Sequence, residues 1–257
     1  MALSRFFIEG DLPTRQPGAD LRIPLNTDDL HHALRVLRIR TGESVSIVDP
    51  TGGGIVLSVR GIDDAGLVGT VLGALEPPTL PRVTLIQGVA KGDSTDLVVR
   101  MAVEIGVERV IPVLFERSVV ALKGDRATKR GERWRAVAAA AAKQSDRYSV
   151  PLVDDPQTLA QVLPELDAFD RVLVAWEESE GGSISSALSD LDREANTSVA
   201  IVVGPEGGLT SDEVESLRSL GARIVSLGAT VLRSETAGAV ATALVAYELG
   251  GLGSSSR

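Results

Sequence analysis

Two short stretches near the carboxyl end carry residue types that could do chemistry. Gly204-Pro205-Glu206-Gly207-Gly208 sets three glycines and a proline around one carboxylate. Val231-Leu232-Arg233-Ser234-Glu235-Thr236 places a guanidinium two residues before a second carboxylate. Glycine bares the main chain, so the first stretch can present N–H and C=O groups to a flat ligand, or it can be an ordinary tight turn. Its spacing is neither the Gly-x-Gly-x-x-Gly of dinucleotide sites nor the Gly-Lys-Ser/Thr close of a Walker loop. On these residues alone both readings stay open.

The flanking elements favour neither a loose nor an isolated turn. Residues 199–203 are apolar and largely β-branched, which predicts a buried strand running into the glycines. Thr210 then predicts the N-cap of a helix over residues 212–220, with Asp212 and Glu213 in the first turn, where carboxylates suit the helix dipole. A strand that breaks into glycines ahead of a helix sets bare backbone at the carboxyl end of a sheet, where open α/β sheets take ligands. The theme recurs at residues 222–227, a second strand closed by Gly228-Ala229. Residues 231–249 lead into a helix carrying Ala237, Gly238, Ala239, Ala241, Ala243 and Ala246, a face small enough for another backbone to approach, within the chain or between two chains.

Composition removes several function classes. The 257 residues suffice for one large or two modest domains, and they include no cysteine, hence no disulfide, thiolate metal site or thiol nucleophile. The two histidines, His31 and His32, are adjacent and diverge on a helix, which argues against a zinc site or a serine–histidine triad. No apolar stretch has the length of a membrane span and no signal-peptide pattern opens the chain, so the expectation is a cytoplasmic protein with neither a membrane nor a metal partner. A net charge of −9 argues against non-specific nucleic-acid binding by overall charge. Its distribution is uneven: Lys123, Arg126, Lys129, Arg130, Arg133, Arg135, Lys143 and Arg147 face only Asp125, Glu132 and Asp146 over residues 123–147, a basic loop followed by a helix over 133–145.

Along the chain, residues 4–8 predict a strand and a polar loop runs to Ile23. A helix over residues 28–37 has Leu30, Ala33, Leu34 and Leu37 as its apolar stripe, with His31, Arg35 and Arg38 at i, i+4 and i+7 on another face. Residues 44–49, 55–59 and 67–72 predict the strands of a small barrel. Glu76-Pro77-Pro78-Thr79-Leu80-Pro81 is the one clear linker, giving domains at residues 1–75 and 76–250 and a disordered tail at 251–257. Beyond it strands and helices alternate, as in a parallel α/β sheet. Residues 83–89 form its first strand, a helix runs to Gly106 with Leu97, Val98, Met101, Ala102 and Ile105 inside, and residues 110–114 are the next strand. A short helix over 154–163 and a strand over 171–176 follow. Glu177-Glu178-Ser179-Glu180-Gly181-Gly182 is then either a third ligand loop or an acidic solvated turn.

The two carboxyl-terminal stretches, with Leu227-Gly228 between them, resemble the signature of the RsmE family. His31-His32-Ala33-Leu34-Arg35-Val36-Leu37-Arg38, Val103-Glu104-Ile105-Gly106-Val107, Glu116-Arg117-Ser118-Val119-Val120 and Gln144-Ser145-Asp146-Arg147 are similar to further family motifs, so the likeness covers nearly the whole chain. The chain departs from the pattern with Ile105 for leucine, Met101 for a frequent lysine and Asp146 for a glycine whose left-handed turn aspartate tolerates less readily. The resemblance implies an amino-terminal PUA-like β-barrel that holds RNA, followed by a SPOUT-class α/β domain tied in a deep trefoil knot. It implies methylation of N3 of a uridine in 16S ribosomal RNA of the small ribosomal subunit, by a homodimer.

By the same resemblance, S-adenosylmethionine would lie against Gly204, Pro205, Glu206, Gly207, Gly208, Leu227, Gly228, Leu232 and Arg233. Glu206 and Glu235 are then candidate bases, with Arg233 stabilising the uracil anion or gripping a phosphate. Each has a plainer alternative: loop closure for Glu206, helix capping for Glu235, and an ion pair with a glutamate for Arg233. RNA would meet Arg5, His31, Arg35, Arg38 and Arg133. Two other readings fit the residues: a different α/β enzyme binding a nucleotide phosphate at 204–208, and a non-catalytic RNA-binding or assembly protein.

Overall fold

Residues 3–76, 80–120, 122, 124–177, 181–192 and 196–253 are described in the computed structural model. Pro77-Pro78-Thr79 of the linker, Lys123 of the basic stretch, Glu178-Ser179-Glu180 of the acidic turn and residues 254–257 of the tail lie outside them.

The amino-terminal unit contains β1 (Ser4–Phe7), β2 (Asp20–Pro24), α1 (Thr27–His31), β3 (Ser44–Val48), β4 (Gly54–Asp63) and β5 (Gly66–Leu75). Its strands form one sheet in the order β1-β3-β4-β5-β2. The β1–β3 pair is parallel and the others antiparallel. Period-two alternation sends Val45 and Ile47 of β3, Ile55, Leu57 and Val59 of β4, and Leu67 and Val71 of β5 into one core with Phe6 and Ile23. Register shifts between Val56 and Leu57 and between Val59 and Gly61 bend β4 against β5.

Two expectations fail in this unit. The polar loop before Ile23 contains β2, an edge strand that buries only Ile23 and presents charge elsewhere. The expected helix over 28–37 ends as α-helix at His31, and His32–Val36 wind as a π-helix closed by Leu37 N–H to the His32 carbonyl at 2.9 Å. A π turn takes one more residue than an α turn, and Arg38 then turns left-handed at φ 53°, so the i, i+4, i+7 arithmetic breaks. Of the expected stripe only Ala33 is buried; Leu34 and Leu37 are 44% and 38% exposed.

Residues Ala142–Val150 belong to this unit as well, although the linker alone would assign them to the second domain. Lys143 pairs with the buried Asp29. Arg5 donates to the carbonyls of Asp146 and of Arg147 and lies 4.6 Å from the Tyr148 ring centroid. Asp146 occupies the left-handed region at φ 54°, the conformation a glycine would take more freely.

The second unit runs β6 (Arg82–Gly88), α2 (Ser94–Ile105), β7 (Arg109–Leu114), α3 (Asp125–Gln144), β8 (Leu152–Val153), β9 (Gln157–Thr158), α4 (Leu159–Val162), β10 (Arg171–Ala175), α5 (Ile184–Ala187), β11 (Ser198–Val203), α6 (Ser211–Ser219), β12 (Arg223–Val225) and α7 (Ser234–Glu248). All its strand pairs are parallel, in the order β12-β10-β11-β6-β7-β8 with β9 also beside β7. Every residue of β11 is buried, the continuous apolar run expected of a strand covered on both faces. Leu159 and Val162 of α4 and Val214 and Leu217 of α6 pack with Ile86, Ile111, Val174 and Val202. Helices α2 and α7 pack on each other, and α7 lies along β6 and β11.

Three local readings are corrected here. Helix α2 buries Val98, Val99, Ala102 and Val103, leaving Leu97 exposed and Met101 and Ile105 half-buried. The buried Asp96 sets that rotation by accepting from Trp134 Nε1 at 3.0 Å and Arg133 Nε at 2.6 Å. The basic loop is helical from Asp125 onward. Between residues 154 and 163 the chain forms β9 and the single turn α4, because Pro156 precedes the first and Pro164 interrupts the second.

Candidate active site

Because β11, β10 and β12 are parallel neighbours, the segments leaving their carboxyl ends meet. They enclose a cleft of about 590 Å³. The turn after β11 contributes Gly204, Pro205, Glu206 and Gly208; the segment after β12 contributes Leu227, Gly228, Leu232, Arg233 and Glu235. The two glycine-bearing stretches thus form one site. Gly207 faces away from it: a Cβ there would stand 2.9 Å from the Arg117 carbonyl oxygen, so glycine lets residue 117 pass close behind the loop.

Side chains pin this loop from several directions. Glu206 accepts the Lys91 N–H at 2.8 Å. Gly208, left-handed at φ 71°, closes the turn by donating to the Pro205 carbonyl at 2.9 Å. Thr210 caps α6 as expected, and Glu213 completes the capping box by accepting the Thr210 N–H at 2.9 Å. The same Glu213 accepts the Glu116 N–H at 2.7 Å, while Arg117 donates to the carbonyls of Gly207 and Leu209 at 3.3 and 3.4 Å. Ser234 donates to the Gly204 carbonyl at 2.7 Å, joining the first turn of α7 to the loop. At Gly88, a Cβ would collide with the backbone at Gly204 and Pro205, so the end of β6 backs the turn directly.

Arg233 and Glu235 stand at the edge of the cleft with 4.0 Å between Nη1 and Oε1, their side chains 85% and 20% exposed. The guanidinium is therefore presented to solvent, and the carboxylate is drawn inward at the start of α7. The loop-closing alternative for Glu206 matches its bond to Lys91.

Sequence reasoning missed several wall residues, among them Ser94, Trp176, Ser226 and Ser234, whereas Glu177 opens the stretch read as a third ligand loop or an acidic turn. Trp176 had a signal, since it follows a strand at its carboxyl end. Ser94 comes from a segment distant in sequence and had none.

The cations proposed for RNA lie elsewhere. His31, Arg35 and Arg38 are exposed around the π-helical turn. Arg5 is occupied by Ser46 Oγ at 3.1 Å and the main chain of residues 146–147. Arg133 is held by Asp96 and Asp93; hydrogen bonding to Asp96 is the first cause that raises its pKa above the ordinary arginine value. With Arg135 on Asp155 at 3.0 Å and Lys143 on Asp29, three cations of the basic stretch are engaged internally.

Comparison with known proteins gives the family. The profile of an RNA methyltransferase domain matches residues 77–246, and that of an RNA methyltransferase PUA domain matches residues 25–59. The chain is 32% identical over 252 residues to ribosomal RNA small subunit methyltransferase E of Bacillus subtilis, covering 96% of this chain and 97% of that protein. It is 36% identical over 223 residues to the protein of the same name in Mycobacterium bovis, covering 85% and 83%. Among solved structures, ribosomal RNA small subunit methyltransferase E from Neisseria gonorrhoeae, bound to S-adenosyl methionine, superimposes with a TM-score of 0.79 at 27% identity, covering 95% of this chain and 96% of that one. An amino-terminal PUA domain, a parallel α/β domain and a glycine-lined cleft at the sheet's carboxyl edge therefore come together in a chain that belongs to the RNA methyltransferase family of ribosomal RNA small subunit methyltransferase E.

Proposed function

We propose that this protein methylates N3 of a uridine in 16S ribosomal RNA, with S-adenosylmethionine as donor. The observation that carries the reading is the cleft itself. Its volume falls within the roughly 300–1,000 Å³ of small-molecule sites, and it is lined by Gly204, Pro205, Glu206 and Gly208, by residues 226–235 and by Glu177. Glycines let the main chain come close to the polar edges of an adenosine, and carboxylates suit a sulfonium cation. When bound, the sulfonium supplies a methyl group already activated for displacement.

Two tasks are left to the chain's own residues: holding the pyrimidine in line, and accepting its N3 proton. Proximity of this kind supplies roughly 7 kcal/mol or more of the barrier reduction. Glu206 spends one oxygen on Lys91 and serves the loop, so Glu235 is the better placed base. Arg233, extended into solvent, is placed to steady the anionic base or a neighbouring phosphate. Exposed His31, Arg35 and Arg38 are the RNA contacts favoured by their lack of burial; Arg5 and Arg133 have internal duties.

The same kinship extends to threading and assembly. The parallel order of the second sheet is compatible with the trefoil knot of the SPOUT class. Leu97 of α2 and Leu244 and Tyr247 of α7, the last 62% exposed, leave an uncovered apolar face on adjacent helices that suits a homodimer. Its place of work is the cytoplasm, where ribosomal RNA is found; among the described residues no helix is long and apolar enough to cross a membrane.

The test is transfer of labelled methyl from the donor to small ribosomal subunits lacking the modification, with mass spectrometry of the digested RNA. The reading requires 3-methyluridine at one position, and label on another atom or no label rejects it.

A further inference from the structure

Behind the cleft, one fully buried polar side chain has an atom with nothing to bond. Gln87, near the end of β6, is 0% exposed, and its Oε1 has no hydrogen-bond partner. Its Nε2 donates to the Gly88 carbonyl at 3.2 Å and to Ser234 Oγ at 3.0 Å. Ser234 Oγ donates in turn to the Gly204 carbonyl at 2.7 Å.

The direction of this chain is fixed by what each group can do. A carbonyl only accepts, so the Ser234 proton is committed to Gly204 and a lone pair of the hydroxyl is what Gln87 meets. Flipping the amide would set its oxygen against two acceptors. Oε1 is therefore left beneath α7 at Gly238, where an added Cβ would collide with it. Buried acceptors without partners are uncommon in native proteins and call for an explanation.

We propose that Gln87 is a positioning residue for the ligand loop: through Ser234 it fixes the distance between the first turn of α7 and the Gly204 carbonyl, and Gly238 is glycine to leave its oxygen room. The inference rests on the reading of the cleft as the S-adenosylmethionine site. Neither Gln87 nor Gly238 lines that cleft, so any effect of changing them on a ligand must pass through a neighbour, and the Ser234 variants separate the Ser234 route from Gly88 and Ala237.

The experiment compares Gln87→Met, Gly238→Ala, Ser234→Ala and Ser234→Thr with the unaltered chain. It measures titration with S-adenosylhomocysteine, melting temperature, and ligand-free amide exchange over residues 204–209. Gln87→Met removes the unpaired oxygen and should melt no lower than the parent. Its loop amides should nonetheless exchange faster and its affinity fall about tenfold, the equivalent of one lost hydrogen bond. Gly238→Ala should do the same although alanine is the better helix former. Ser234→Thr, which keeps the hydroxyl, should stay close to the parent where Ser234→Ala does not. Parental affinity and loop exchange in both Gln87→Met and Gly238→Ala would overturn the inference, as would a threonine variant no better than alanine. Faster loop exchange in a protein that binds no S-adenosylhomocysteine would uphold the relay and end the ligand assignment.

Discussion

The cleft and the turn at residues 27–38 are the two parts of the molecule read as contacting ligands, and they are built in opposite ways. Around the cleft, side chains are spent on holding backbone: Glu206 on Lys91, Arg117 on Gly207 and Leu209, Glu213 on Glu116, Ser234 on Gly204. At the π-helical turn the backbone holds itself, and Arg35, Val36 and Leu37 are left facing solvent. A small rigid ligand is suited by a main-chain mould whose shape is set beforehand. A long charged polymer is suited by free side chains that can follow it.

Changes that blur this contrast rank by how much backbone they disturb. The largest effect belongs to Gly88→Ala, whose new methyl would meet the backbone of Gly204 and Pro205. Overpacking there should lower stability by roughly 3 kcal/mol in urea denaturation, and S-adenosylhomocysteine affinity should fall along with it. Arg35→Glu tests the other region: RNA affinity should drop about tenfold, with a shallower dependence on salt, while S-adenosylhomocysteine titrates as before. Equal loss of both ligands would erase the proposed division of labour.

The third prediction concerns Asp190, which ties β12 to β10 through Arg223 and Arg171. Hydrogen bonding from Arg223 is the first cause that lowers its pKa from 3.8 to about 2. A lowered folded pKa means the ionised form stabilises the fold above pH 3.8, and that contribution fades as pH falls toward about 2. Asp190→Asn should therefore be less stable than the parent at pH 5, with the gap closing as acid is added; a gap independent of pH would show that the ion pairs are idle. The smallest effect is expected from Asp146→Gly. Relief of the left-handed strain, less the greater chain entropy of glycine, leaves a gain of about 0.5 kcal/mol, readable as a small rise in melting temperature.

How much was legible in the sequence follows the same division. Buried parallel strands announce themselves, because residues such as 199–203 are apolar on both faces and need no partner to be recognised. Thr210 with Glu213 marked the start of α6, and the glycines of 204–208 marked the loop. What stayed hidden depended on partners far away in the chain. The rotation of α2 is set by Asp96 meeting Trp134 and Arg133, which no periodicity within α2 encodes. Strand β2 buries one residue and reads as loop until Arg22 and Asp63 are found across it at 2.5 Å. Arg5 and Arg133 looked free because their acceptors, main-chain carbonyls and distant aspartates, leave no mark beside them in the sequence. Ser94 of the cleft wall was invisible for the same reason.

The clasp formed by Arg5 with residues 146–148 bears on how this chain is made. Translation delivers residues 1–78 first, yet their unit is complete only when Ala142–Val150 arrive. Until then Arg5 has no carbonyl of Asp146 or Arg147 to hold, and Asp29 waits for Lys143. A nascent chain cannot finish its first domain and move on to the next, as sequential folding would have it. It must emerge past the end of α3 before that sheet is fastened, and a product cut at the proline linker would lack its fastening altogether.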